Sequence, residues 1–125
     1  QMEMIHKRAA RFVLNIPSTD NRSISNAIQE DLKWRKLKER RKMVRLMDMF
    51  KILHSNLKFP IEYIPTFSYS ATRSGPHTFF KPQISVNAYK HSFFPATIAL
   101  WNALRLDVVN APSVEVFKAG VQQLF

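Results

Sequence analysis

From Asp31 to Leu57 the chain reads DLKWRKLKERRKMVRLMDMFKILHSNL. Between Lys33 and Arg45 it carries eight cations (Lys33, Arg35, Lys36, Lys38, Arg40, Arg41, Lys42 and Arg45) and a single acid, Glu39. Beyond them Met43, Leu46, Met47, Phe50, Leu53 and Leu57 recur every three or four residues. At about 100° per residue that spacing gathers them on one side of a helix. Lys, Arg, Leu, Met and Glu are good helix formers, and no Gly or Pro interrupts the run before Pro60. One helix of more than about twenty residues is expected, wet and basic at its start and buried at its end. Trp34 and Leu37 point to a different side from the later stripe, which predicts a bend around Trp34.

Upstream, Ile5, Ala9, Phe12, Val13 and Ile16 follow helical spacing with Lys7, Arg8 and Arg11 opposite, so a first helix is expected from Met2 to Leu14. Pro17, Ser18, Thr19, Asp20 and Asn21 read as a turn. Ser23 or Ser25 can cap a short second helix with Ile24, Ile28 and Leu32 inside, ending near Asp31 or Lys33. Downstream, Pro60, Pro65, Gly75, Pro76 and Pro82 forbid a long helix, and the aromatics Phe59, Tyr63, Phe67, Tyr69, Phe79 and Phe80 lie among them. Two extended pieces, Thr78 to Gln83 and Ala88 to Phe93, are expected as a small hairpin, with Pro82 confining the first to an edge. Pro95 suits the first turn of a helix whose inner face is Phe94, Ile98, Trp101 and Leu104. Pro112 and Ser113 introduce a last helix carrying Val114, Phe117, Val121 and Leu124, slightly weakened by Gly120.

The fold expected is mainly α, four or five helices around one long helix. Trp101, Phe94, Ile98, Phe117, Val121, Phe50 and Leu53 should share one core. A chain of 125 residues with 46% hydrophobic content suits a single domain. Its parts are a basic helical half (1–58), a Pro- and aromatic-rich loop with a possible hairpin (59–94), and C-terminal helices (95–125).

The net charge of +10 is uneven, since residues 1–60 hold 14 Lys/Arg against 6 Asp/Glu and residues 61–125 hold 5 against 3. The first half is therefore the candidate for a polyanion, either nucleic acid or an anionic membrane surface. No apolar run is long enough to span a bilayer. The basic, acid-poor first 16 residues superficially suit a mitochondrial presequence, but a start on Gln1 that passes directly into helical pattern fits a fragment of a longer polypeptide better.

Zero cysteines exclude disulfides, thiolate metal sites and cysteine nucleophiles, and are consistent with an intracellular setting. His6, His54, His77 and His91 lie far apart with no ligand spacing between them. Gly75 and Gly120 cannot build a phosphate-cradling loop, and Ser74 before Gly75 lacks the glycine of a nucleophile elbow. No pair of acids is placed for two-metal chemistry. No catalytic residue, metal or cofactor is expected. Trp101, Phe93, Phe94 and Phe117 read as core rather than as base-stacking platforms, and Asn102 reads as a tie to a neighbouring loop.

The cations carry the candidate chemistry. Exposed helices usually interleave Glu with Lys, and here only Glu39 and Asp48 are at hand. A phosphate backbone relieves such crowding and gives salt-sensitive, sequence-independent affinity. The candidate nucleic-acid-binding residues are Arg35, Lys36, Lys38, Arg40, Arg41, Lys42 and Arg45, helped by Lys7, Arg8 and Arg11. Arg35, Lys38, Lys42 and Arg45 share one arc of a continuous helix. The bland alternative is a solvated helix face.

Several landmarks together resemble a known family. They are Ala9-Ala10-Arg11; Leu32-x-Trp34-x-x-Leu37-x-x-Arg40; Phe50-Lys51; Pro60-x-Glu62-Tyr63-Ile64; Thr72-Arg73-Ser74; Ser92-Phe93-Phe94-Pro95-x-Thr97-Ile98-x-x-Trp101-Asn102-Ala103-Leu104; and Ala111-Pro112-Ser113-x-x-x-Phe117-Lys118. From about Met4 to Phe125 the chain resembles the segment downstream of the reverse transcriptase domain in polyproteins of non-LTR (LINE-type) retrotransposons of the Jockey-like and chicken-repeat-like clades. The family often has proline where this chain has Lys36 and Arg105, so the long helix is expected to begin earlier here and the Trp101 helix to run on. The resemblance implies a non-catalytic accessory domain acting in target-primed reverse transcription, in nucleus and cytoplasm. Its implied partners are RNA template, DNA target or hybrid, and the upstream polymerase domain of the same polypeptide; no membrane partner is implied. Two alternatives stand beside it: a scaffold whose long helix packs its apolar end on the polymerase thumb, and a degenerate relic without function.

Overall fold

The computed structural model describes residues 1–17, 19, 23–54, 58–68 and 77–124. Ser18, Asp20 and Asn21 of the expected turn, Leu57 of the apolar stripe, Tyr69 and the Thr72-Arg73-Ser74 motif lie outside them. The described chain is mainly helical: α1 (Met2–Val13), α2 (Ile24–Glu30), α3 (Leu37–Leu53), α4 (Asn87–Lys90), α5 (Phe93–Trp101), α6 (Leu106–Val109) and α7 (Val114–Leu124). Five of these match expected helices, and α4 and α6 are single turns added to them. The chain divides into two compact units, Gln1–Arg40 and Arg41–Phe125, with the border inside α3.

In the first unit α1 packs on α2. Ala10, Ile24 and Ile28 are buried, with Ile16, Ala27, Leu32 and Trp34 half-buried around them. Asn15 adopts φ 51° and closes α1, its N–H donating to Phe12 O at 3.2 Å while the Ile16 N–H donates to Arg11 O at 2.9 Å. That paired closure satisfies two orphan carbonyls, and Asn tolerates the left-handed conformation. The expected inner face of α1 is corrected. Ile5, Phe12 and Val13 are 63%, 88% and 56% exposed, and the contact side is turned by one residue to Ala10. Alanine's small side chain lets the two helices approach where Ile24 and Ile28 are bulky.

The long helix is shorter than its sequence suggests. Lys33 sits at φ 54°, a left-handed conformation that costs a non-glycine residue roughly 1–2 kcal/mol. The Trp34 N–H then reaches back to Ile28 O at 3.0 Å. The expected bend is therefore a true break, residues 33–36 are not helical, and α3 begins only at Leu37. Lys36 in place of proline does not bring an earlier start.

The second unit is built on aromatic rings. Phe117 stacks between Phe50 (4.3 Å between centroids) and Trp101 (5.7 Å), and Phe79 meets Trp101 edge-on at 6.0 Å. Leu46, Met49, Ile98, Val108, Ala111 and Val121 complete the buried cluster, with Leu53 and Phe94 packed on it. All seven residues expected in one core are there. Gly120 does more than weaken α7: a Cβ there would meet both Val108 methyls at 3.1 Å, so its bare backbone lets α6 lie against α7. Ser113 starts α7, its hydroxyl accepting from the Val116 N–H at 3.3 Å.

No strand forms among the described residues. A single antiparallel bridge joins Phe67 to Phe79, and the segment expected as the second strand is instead α4 and the start of α5. Tyr89, His91 and Phe93 alternate, but Tyr89 is 47% exposed, so no sheet face exists to reward the alternation. The bridge is held by Asn102, whose amide imitates a strand neighbour. Its Oδ1 accepts from the Phe79 N–H and its Nδ2 donates to Phe79 O, both at 2.9 Å. The Trp101 indole N–H donates to His77 O at 3.1 Å. Asn102 is thus the tie its position suggests. It follows α5 directly as the C-cap, so that helix ends at Trp101 rather than running on through Arg105.

Candidate nucleic-acid interface

The ten candidate cations separate into two groups. Lys7, Arg8, Lys36, Lys38, Arg40 and Arg41 are exposed, while Arg11, Arg35, Lys42 and Arg45 are half-buried. The reason lies in the pitch of α3. Lys38, Lys42 and Arg45 occupy the arc that, one and two turns later, carries the buried Met49 and Ile52. That arc turns inward as the helix proceeds, and Lys42 and Arg45 follow it with their aliphatic stems. Arg40 and Arg41 point to the other side, where Val44 is 57% exposed. Arg35 and Lys36 precede α3, so the expected four-cation arc loses Arg35. Arg11 donates from Nη1 to Pro17 O at 2.8 Å, bracing the end of α1.

The side chains of Lys7, Arg8, Lys36, Lys38 and Arg40 make no ion pair or hydrogen bond among the described residues.

Within the first unit a cleft of about 460 Å³ opens between α1, α2 and the start of α3. Lys7, Lys36 and Lys38 stand around it, together with one acid, Glu3, and the amides Asn26 and Gln29. His6 also lines it, with its ring 5.3 Å from that of Trp34 and its Nε2 buried without a hydrogen-bond partner. The sequence reading did not single out Asn26 or Gln29. Their three-residue spacing, on the side of α2 away from Ile24 and Ile28, was the available signal.

Among the described residues no group of three or more His, Cys, Asp or Glu is placed to hold a metal ion, and no helix is long and apolar enough to cross a membrane. Compared with protein-family models, curated proteins and solved structures, the chain matches none.

Proposed function

We propose that this chain is a non-catalytic accessory domain that holds nucleic-acid phosphates without reading base sequence. The contacts are assigned to Lys7, Arg8, Arg11, Arg35, Lys36, Lys38 and Arg40 of the first unit and to Arg41, Lys42 and Arg45 of the second. The observation that carries this reading is that the side chains of Lys7, Arg8, Lys36, Lys38 and Arg40 are exposed and have no partner among the described residues. Phosphate oxygens supply that missing partner, and each neutralised phosphate releases a counterion. The resemblance to LINE-type polyproteins supports the same polarity: a module beside the template or target of a reverse transcriptase, working in nucleus and cytoplasm next to the polymerase domain.

A second reading, a protein-docking scaffold, must change its surface. The apolar end of α3, with Leu46, Met49 and Phe50, is already packed in one cluster with this chain's own Ile98, Trp101 and Phe117. What favours docking instead is α1, where Ile5, Phe12 and Val13 are exposed together.

The test is binding of the whole chain to labelled duplexes of unrelated sequence, followed by fluorescence anisotropy. Equal affinities are expected, with a loss of roughly tenfold or more when Lys38, Arg40 and Arg41 are changed together to glutamine. A parent chain that fails to bind any duplex at about 50 mM salt, a condition that favours phosphate contacts, overturns the reading.

A further inference from the structure

We propose that the cleft of the first unit binds a single nucleotide with an adenine base. Its phosphate is held by Lys7, Lys36 and Lys38, and its base edge by the side-chain amides of Asn26 and Gln29. This deepens the phosphate-binding reading, because it gives the same basic surface a second mode that takes an unpaired nucleotide instead of a duplex backbone.

Three features of the cleft point this way. Its volume, about 460 Å³, lies in the range of small-ligand pockets. Its charge is positive, three lysines against Glu3, and none of those lysine side chains has a partner among the described residues. Its uncharged polar groups include, beside the Ser25 hydroxyl, two amides, each offering both a donor and an acceptor, and the exposed edge of adenine, an acceptor beside an amino donor, is the base edge that Asn and Gln pair with best. Ile28 and Leu37 add apolar wall against which a base can lie flat.

The chemistry is that of adenosine monophosphate, whether free or as one residue of a single strand. The whole ¹⁵N-labelled chain is titrated with adenosine 5′-monophosphate, adenosine and inorganic phosphate at matched ionic strength. Adenosine 5′-monophosphate should bind at least about tenfold tighter than either part, because the charged and amide contacts act together. The Asn26 and Gln29 side-chain amides and the His6 ring should shift with one saturation curve. Changing Asn26 and Gln29 together to alanine should bring the nucleotide down to the level of phosphate, with the backbone spectrum elsewhere unchanged. If a short single-stranded oligoadenylate displaces the nucleotide, the natural ligand is a strand; if it does not, the ligand is the free nucleotide. The inference is overturned if adenosine 5′-monophosphate binds no tighter than phosphate, or if those amides do not move. Duplex affinity measured on the same samples separates the two ideas: the alanine pair should leave it intact, and loss of duplex binding in the parent counts against the phosphate surface alone.

Discussion

The two units differ most in what lies inside them. Among the described residues of the second, ten side chains form one continuous buried cluster with three stacked rings at its centre; among those of the first, only Ala10, Ile24 and Ile28 are buried. A fully buried large apolar side chain contributes about 1.5–3 kcal/mol, so the second unit holds a domain's worth of hydrophobic stabilisation and the first holds little. The first unit also contains a left-handed lysine and a His6 Nε2 that is buried without a hydrogen-bond partner among the described residues, both of them costs to a fold. Hydrophobic stabilisation is therefore concentrated in the second unit, and under the proposed reading the weakly packed first unit carries the nucleotide cleft.

The largest effect should come from the second unit. Trp101→Ala removes a buried ring and its bond to His77, and should cost about 3–5 kcal/mol in urea unfolding. A near-neutral result would mean that the stacked rings are not the source of stability. Ile28→Ala in the first unit sharpens the comparison. It should cost about 2–4 kcal/mol locally, and amide hydrogen exchange should show α1 and α2 losing protection while Leu46 to Phe50 keep theirs. Equal loss in both regions would contradict two separate units.

Asn102→Ala comes next. It leaves the Phe79 N–H and C=O without their amide partner, and should cost about 1–3 kcal/mol. Asn102→Asp keeps the acceptor and loses the donor, so it should not restore parental stability, as read from thermal unfolding at neutral pH.

The smallest effect concerns Glu115 in the first turn of α7, whose own backbone N–H and the Ser113 hydroxyl hold its carboxyl below the ordinary value. A lowered folded value means that its contribution is complete above the ordinary carboxylate range and is lost as pH falls through the lowered value. Thermal midpoints followed into acid should therefore fall slightly more steeply for the parent than for Glu115→Gln.

Periodicity made the second unit legible. The existence of α3, α5 and α7 and the shared core of Phe50, Ile98, Trp101, Phe117 and Val121 follow from apolar spacing over several turns, because a large buried area enforces the pattern, whereas the single turns α4 and α6, the buried Met49 and Ile52 and the exposed Leu124 did not. The first unit was read less well. Its interior is so small that Ala10, not the large residues of α1, meets the neighbouring helix, and Ile5 and Phe12 keep their spacing without being buried. The break at Lys33 carries no glycine or proline to announce it. The cation set was visible as composition, but which members reach solvent depends on where α3 begins and how its faces turn inward. The cleft needed residues from three segments, and sequence spacing alone does not bring those together.

The most direct measurement compares the salt dependence of duplex binding for the parent and two variants of equal charge. One changes Lys38, Arg40 and Arg41 to glutamine; the other changes Lys81, Lys90 and Lys118, also exposed but outside the basic run of the sequence. The parent should show a log–log slope of roughly −4, reduced in magnitude by about 2 to 3 units in the first variant. The second variant should keep the parental slope. Equal flattening in both variants, or in neither, would show that net charge rather than this surface governs binding, and would contradict a phosphate-binding role for the basic run.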